Sequence, residues 1–221
     1  MREFIEKREI EALYHFTNVK NLKSIFEHGL LSRETLKDRG VSYEFNDNVR
    51  YDQCQNALCT SIEWPNYKMF CKIRNDCPEK HWAVLRLNAK RILLELDCAY
   101  CWTNAGDKSM YEKLLEDRKG SQAFISLFDD KEGFPSRADK PVTADFYPTN
   151  PQAEVLVFSP IPIECITAVY FKSDEDLTRY REVVPTGICK SEKDLSVNPM
   201  VFSPRNDYEK WKKKEEEQNG N

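Results

Sequence analysis

The sequence predicts an α+β fold, and three observations carry that reading. Short apolar or alternating runs, Trp82–Leu87 (WAVLRL) and Ile166–Phe171 (ITAVYF) the clearest, read as strands. Amphipathic segments lie between such runs, but without a regular strand–helix–strand rhythm, so a doubly wound parallel sheet is not expected. Of the 221 residues 40% are hydrophobic and 12% aromatic, enough for one packed core, and there is no internal repeat.

The elements follow in order. Residues 2–12 are amphipathic and predict a short helix, and Leu13–Phe16 is a brief strand-like run. Thr17 or Asn18 stands where a helix cap is needed. Val19, Leu22, Ile25 and Phe26 then share one helical face as far as His28, with Gly29 as the stop. Residues 40–56 have no period and read as a loop. Ala57–Ile62 is strand-like, and Pro65-Asn66 opens a helix over Tyr67–Arg74. Met110–Arg118 predicts another helix. Residues 128–151 carry four prolines and a glycine among many charges, the longest irregular segment. A loop of that length in a compact domain is functional or mobile. It runs into Gln152–Phe158, which reads as a strand entering the core, and Asp174–Val183 predicts a helix with an acidic first turn. The expected organisation is one domain over 1–208 and a charged, partly disordered tail over 209–221.

Charge and cysteine content narrow the function classes. The net charge is −4, which disfavours broad binding to nucleic acid. It is unevenly spread: residues 15–91 hold 13 Lys+Arg against 9 Asp+Glu, and residues 92–182 hold 10 against 17. A basic groove is therefore expected in the first half. The opening MREFIEKREI has no apolar signal-peptide core, and no apolar run nears the roughly 20 residues of a membrane span, so a cytoplasmic protein without a membrane partner is expected. The eight cysteines are then reduced thiols. Cys98 and Cys101 form a lone C-x-x-C with no second pair, and His15, His28 and His81 are not at ligand spacing, so no metal is expected.

Three segments carry candidate chemistry. In the first, His15-Phe16-Thr17-Asn18 ends a strand at a helix start, where backbone N–H groups and polar side chains can hold an amide and a ribose. It continues through Asn21, Ser24, Gly29 and Leu30. In the second, Leu58-Cys59-Thr60-Ser61-Ile62 leads into Trp64-Pro65-Asn66-Tyr67-Lys68-Met69-Phe70. Its hydroxyls can floor a flat heteroaromatic pocket, and Lys68, Lys72 and Arg74 suit a pyrophosphate or nucleic-acid backbone. In the third, strand alternation would point Gln152 and Glu154 to one side, and a glutamate on an otherwise apolar strand calls for a partner or a function. Each segment also has a plain reading as a cap, a half-buried strand or an edge ion pair.

Taken together and in this order, YHFTN with NLKSIFEHGL, LCTSI with WPNYKMF, and QAEVLV with PIPIECI and AVYF resemble the DarT family, the toxin half of DarT–DarG toxin–antitoxin systems. The resemblance covers roughly residues 13–172. It implies the ADP-ribosyltransferase fold, a split, twisted, mainly antiparallel β-core with flanking helices that grips NAD⁺ in a cleft, with NAD⁺ as co-substrate and no metal. It implies transfer of ADP-ribose to a base, guanine or thymine, in single-stranded DNA, with RNA as the alternative target, and an antitoxin partner that is an ADP-ribosyl hydrolase or an inhibitory protein. Glu154 would be the catalytic glutamate, with Gln152 recognising the target. His15 would bind the nicotinamide-side ribose beside Thr17 and Asn18. Ser61 would sit on the second core strand and Tyr67 near the nicotinamide, with Phe16, Ser24, Gly29, Leu30, Lys68 and Met69 completing the binding set. Residues 128–151 would be the substrate-recognition loop.

One departure bears on the target. Thymine-modifying members commonly carry Pro-Arg-Ser-Pro-Met where this chain has Pro65-Asn66-Tyr67-Lys68-Met69. The resemblance leaves Arg50 or Lys68 to replace that arginine, and guanine in DNA or a base in RNA stands beside thymine. A phage-defence role, a protein-modifying transferase and an inactive binding module are the other readings. A presented base must be unstacked, and Tyr43, Phe45, Phe134, Phe146 and Tyr147 are aromatics able to stack it.

Overall fold

The computed structural model describes residues 1–44, 54–181 and 195–219. Its strands are β1 (Ala12–Asn18), β2 (Leu58–Ile62), β3 (Trp82–Asn88), β4 (Cys98–Cys101), β5 (Glu154–Val157), β6 (Ile166–Phe171) and β7 (Leu195–Val197). Among the described residues they form one seven-stranded sheet in the order β4-β5-β2-β1-β3-β6-β7, antiparallel throughout except between β6 and β7. Helices flank it: α1 (Arg2–Lys7), α2 (Leu22–His28), α3 (Arg33–Asp38), α4 (Tyr67–Asp76), α5 (Ala89–Glu95), α6 (Lys108–Tyr111), α7 (Gly120–Ile125), α8 (Asp174–Tyr180) and α9 (Tyr208–Asn219). The α+β class is as expected.

The sheet is split. β1 pairs with β3 along its whole length, Ala12 opposite Asn88 through Asn18 opposite Trp82. Its register with β2 covers Leu13 opposite Ile62 and Tyr14 opposite Ser61, after which the two strands part. Two half-sheets, β4-β5-β2 and β1-β3-β6-β7, are thus hinged at one end and open at the other. Apolar residues fill both faces. Leu13, Leu22, Leu85, Leu87, Val155 and Phe171 belong to the main core, and Phe70, Trp82, Val84 and Phe202 pack on the opposite side. Fully burying each such side chain contributes about 1.5–3 kcal/mol, which offsets the ordering cost of the strands that carry them.

Several elements differ from expectation. The first helix stops at Lys7, because the chain turns at Glu9 (φ 55°) to drop Ile10 into the core ahead of β1. Instead of a helix over Met110–Arg118 there is the short α6 and a separate 3₁₀ turn at Glu116–Arg118. Leu114 is 72% exposed there, so no apolar face carries the helix onward. The Cys98–Cys101 pair is a buried strand, and burial pushes both thiols up to about 12. The boundary expected at residue 208 falls inside packed structure, since Trp211 of α9 is 3% exposed and Lys210 is buried with it. The expected helix over Asp174–Val183 is α8 as far as Tyr180; residues 182–194 lie outside the described residues.

The loop over 128–151 is tied down. Arg137 donates to the Tyr147 and Ala144 carbonyls at 2.7 and 2.8 Å. Arg205, from the C-terminal segment, donates to the Pro148 and Thr149 carbonyls at 2.9 and 3.1 Å. Lys210 reaches Thr143 Oγ1 at 2.7 Å and the Ser136 carbonyl at 2.9 Å. Its irregular backbone finds its hydrogen bonds in local turns and in side chains, these cations among them, rather than in a ladder.

Gly29 closes α2 as expected, and its geometry admits little else. Its φ of 77° with ψ of −177° is a glycine region, and a Cβ there would lie 2.6 Å from the Ile161 carbonyl oxygen. Leu30 and Ile161 exchange two backbone hydrogen bonds of 2.9 Å at that approach. Gly29→Ala is expected to cost about 2 kcal/mol or more and lower Tm by several degrees. A thermal melt within a degree of the unmodified chain would contradict it.

Candidate active site

The cleft lies where the half-sheets part. Its walls include His15, Phe16 and Thr17 of β1, Ile25 of α2, Leu30, Arg33 of α3, Tyr43 and Glu44, and Leu58, Cys59 and Ser61 of β2. Met69 and Ile73 of α4, the Asn104-Ala105-Gly106 turn and Glu154 close the rest. The free volume inside is about 200 Å³.

His15 wedges the opening. Its Nδ1 lies 2.8 Å from the Cys59 carbonyl oxygen. A carbonyl only accepts, so Nδ1 carries the proton, and in the neutral ring Nε2 is the acceptor. Asn21 organises the mouth: its Nδ2 donates to Thr17 Oγ1 at 3.0 Å and to the Glu44 carbonyl at 2.8 Å, while its Oδ1 accepts the Glu44 N–H at 2.7 Å. That pins the chain immediately before residues 45–53, which lie outside the described residues. Arg50 and Phe45, both expected to take part, fall in that stretch.

Glu154 opens β5 opposite Cys101 of β4 and is 4% exposed. An ionised carboxylate buried so deeply needs compensation of several kcal/mol. Three neutral donors supply part of it. Asn66 Nδ2 and Asn104 Nδ2 each reach Oε1 at 3.2 Å, and the Ala105 backbone N–H reaches Oε2 at 2.8 Å. Asn66 is fixed in turn. Its Oδ1 accepts the Met69 N–H at 3.3 Å and caps the helix that Pro65-Asn66 was expected to open, and its own N–H donates to Ser61 Oγ at 3.2 Å. Ser61 therefore works through a backbone it anchors as well as through the wall it forms.

The other expected residues divide. Phe16 lines the cleft and stacks on Phe70, with ring centroids 4.4 Å apart. Leu30 and Met69 are also in the walls. Asn18 is buried, caps the 3₁₀ turn at Val19–Asn21 through the Lys20 N–H, and is not among the residues that line the cleft. Ser24 and Gly29 lie outside the lining, where Ile25 and Leu30 face the space instead. Tyr67 is buried against the ring of Tyr208, 5.8 Å away, and Lys68 extends over the Trp211 ring at 5.6 Å, so neither is a cleft residue. Gln152 stands in a turn before β5 begins, its N–H bonded to Asn150 Oδ1. Strand alternation with Glu154 therefore does not apply to it. The residues sequence reasoning passed over are Arg33 and the Asn104-Ala105-Gly106 turn, with Asn66 read only as part of a helix start.

A family model described as "DarT: ssDNA thymidine ADP-ribosyltransferase, DarT" matches residues 14–204. The chain belongs to the DarT family. It is thus an ADP-ribosyltransferase of an NAD⁺-dependent kind. Solved DarT structures share its fold. Thermosipho africanus DarTG in complex with ADP-ribose superposes with a TM-score of 0.60 at 16% identity, over 87% of this chain and 51% of that one. Thermus sp. 2.9 DarT in complex with NAD⁺ gives 0.54 at 15%, over 88% and 98%. The same Thermus protein with ADP-ribosylated ssDNA gives 0.54 at 12%, over 88% and 97%. The chain thus spans about half the length of the DarTG chain and nearly all of the Thermus DarT chain. No curated protein matches the sequence. Among the described residues no helix is long and apolar enough to cross a membrane, and no group of three or more His, Cys, Asp or Glu is placed to hold a metal ion.

Proposed function

We propose that this chain transfers ADP-ribose from NAD⁺ to a base of single-stranded DNA, with Glu154 as the catalytic carboxylate. The observation that carries the reading is a carboxylate buried in the cleft and held by three neutral donors, in the same cleft as an imidazole of fixed tautomer. NAD⁺ supplies an activated glycosidic bond whose cleavage places positive charge on the ribose. Glu154 is stabilising in proportion to that charge, so it favours the transition state over the ground state. It also stands where a proton leaving the acceptor base can be taken up. His15 Nε2 accepts from a ribose hydroxyl, and Leu58, Met69 and Ile73 form an apolar wall against which a flat amide-bearing ring packs and water is excluded. Arg33 brings positive charge to the same cleft for a pyrophosphate.

Thymidine is the first target, on the family description. Asn66 stands where thymine-modifying members commonly place arginine, and here it turns inward onto Glu154, so guanine is the second base to test. An antitoxin partner belongs to this reading through the family. Incubation with labelled NAD⁺ and matched single-stranded DNA, RNA, duplex and protein pools tests it. Label on single-stranded DNA supports the reading. Label confined to RNA or protein moves the target, and none on any pool favours an inert binding module.

Within the loop over 128–151, the reading assigns base stacking to Phe134. Phe146 and Tyr147 pack on one another at 4.6 Å and Tyr147 is buried, whereas Phe134 is 45% exposed and stands edge-on to Trp102 at 4.9 Å. Lys131 lies 4.3 Å from the Trp102 ring centroid beside it. Phe134→Ala is expected to raise the KM for single-stranded DNA about tenfold, with NAD⁺ binding unchanged, since stacking is worth about 1–3 kcal/mol per base. Steady-state kinetics with an oligonucleotide check it, and an unaltered KM removes Phe134 from the path.

A further inference from the structure

We infer that Asn104 is a positioning residue for the transfer reaction, its amide holding Glu154 ionised and in one orientation. The inference rests on Glu154 being the catalytic carboxylate. Asn104 belongs to a turn directly after β4, the strand paired to the one Glu154 opens. Its side chain acts in two directions. Oδ1 accepts the Gly106 N–H at 2.9 Å and closes the turn. Nδ2 donates to Glu154 Oε1 at 3.2 Å and approaches Met69 Sδ at 3.5 Å. The closed turn aims the Ala105 N–H at Oε2, so one residue governs a donor to each carboxylate oxygen.

Amide and backbone N–H groups that donate to a carboxylate favour its charged form. Cys101 faces Glu154 from β4 with its thiol raised by burial, and Arg118 touches Cys101 Sγ at 3.6 Å from behind. His15 shares the cleft from β1.

The two functions of Asn104 can be separated. Asn104→Asp keeps an oxygen for the Gly106 N–H and places a carboxylate where the donor was. Glu154 is then expected to titrate at least about one unit higher, a tenfold shift in its protonation equilibrium. Carboxyl ¹³C shifts of glutamate-labelled protein, with the Glu154 signal assigned by its loss in Glu154→Gln, read this without activity. The acid limb of kcat/KM is expected to move with it, and the pairing of two carboxylates is expected to lower Tm modestly at pH values above that limb. Asn104→Ser, which has only a shorter hydroxyl in place of the amide, is expected to lower kcat about 10–100-fold with little change in KM, and it serves if the aspartate variant does not fold. A Glu154 titration and a kcat both unchanged in either variant overturn the inference. An unmodified chain that labels no target, with Asn104→Asp still shifting the Glu154 titration, overturns the catalytic reading and leaves the clamp standing.

Discussion

Glu154→Gln is expected to reduce ADP-ribose transfer by about a thousandfold or more while the protein stays folded and still binds NAD⁺. The amide keeps the shape of the carboxylate and loses the charge that opposes the ribose cation. It also disturbs the clamp. Oε1 accepts two donors and Oε2 one, so an amide nitrogen at either position meets another donor, at a cost of about 1–3 kcal/mol. A modest drop in Tm should therefore accompany the loss of activity. Single-turnover transfer, calorimetric titration with NAD⁺ and a thermal melt on the same preparation separate these effects. Transfer within tenfold of the unmodified chain removes Glu154 from the chemistry. Loss of NAD⁺ binding together with activity would make it a binding group instead.

How much of this was legible in the sequence follows from how local each signal is. Ile166–Phe171 was read to the residue, and Trp82–Leu87 to within one, because period-two apolar patterning is a property of consecutive residues. Gly29 as a stop and the helix start at Pro65-Asn66 were readable for the same reason, since a helix end states its needs within a few positions. The clamp was not. Asn104 meets Glu154 across 50 positions and Asn66 meets it across 88, through strands β4, β5 and β2 that only the fold brings side by side. The Asn-Ala-Gly run does announce a turn, but not what the turn faces. The alternation drawn through Gln152 failed for a different reason. Alternation holds only inside a strand, and Pro151 and the Asn150 turn delay the start of β5 to Glu154. The charged composition of residues 209–221 hid Trp211 and Lys210, two residues that seat α9 against the fold while their neighbours face water.

The same C-terminal segment yields the largest expected effect on stability. Asp207 and Arg205 form a bidentate pair, 2.6 and 2.7 Å, with side chains 0% and 1% exposed. Thr143 donates to Asp207 at 2.8 Å and Lys210 to Thr143, so the pair lies at the root of the loop over 128–151. Asp207→Ala leaves the Arg205 guanidinium buried beside carbonyls alone, which is expected to cost about 3–5 kcal/mol and lower Tm by about 10 °C. The pH dependence has a defined sign. Burial pushes the Asp207 carboxyl up, but the hydrogen bond and charge of Arg205, with the Thr143 hydroxyl, outweigh it and hold the pKa below its ordinary value. A carboxyl depressed on folding contributes stability above its unfolded pKa of about 4, and loses it as pH falls through the lower folded value. Between pH 7 and 5 the pair should therefore contribute a constant amount. Below about pH 4 the unmodified chain should lose stability more steeply than Asp207→Asn, whose amide does not titrate. Melts across pH 3–7 test this, and parallel curves for the two proteins would show that the pair is not the acid-sensitive element. Limited proteolysis supplies the structural half. With the root cut, the loop bearing Phe134 should be cleaved before the sheet, and a loop as resistant as in the unmodified chain would mean that Arg137 alone holds it.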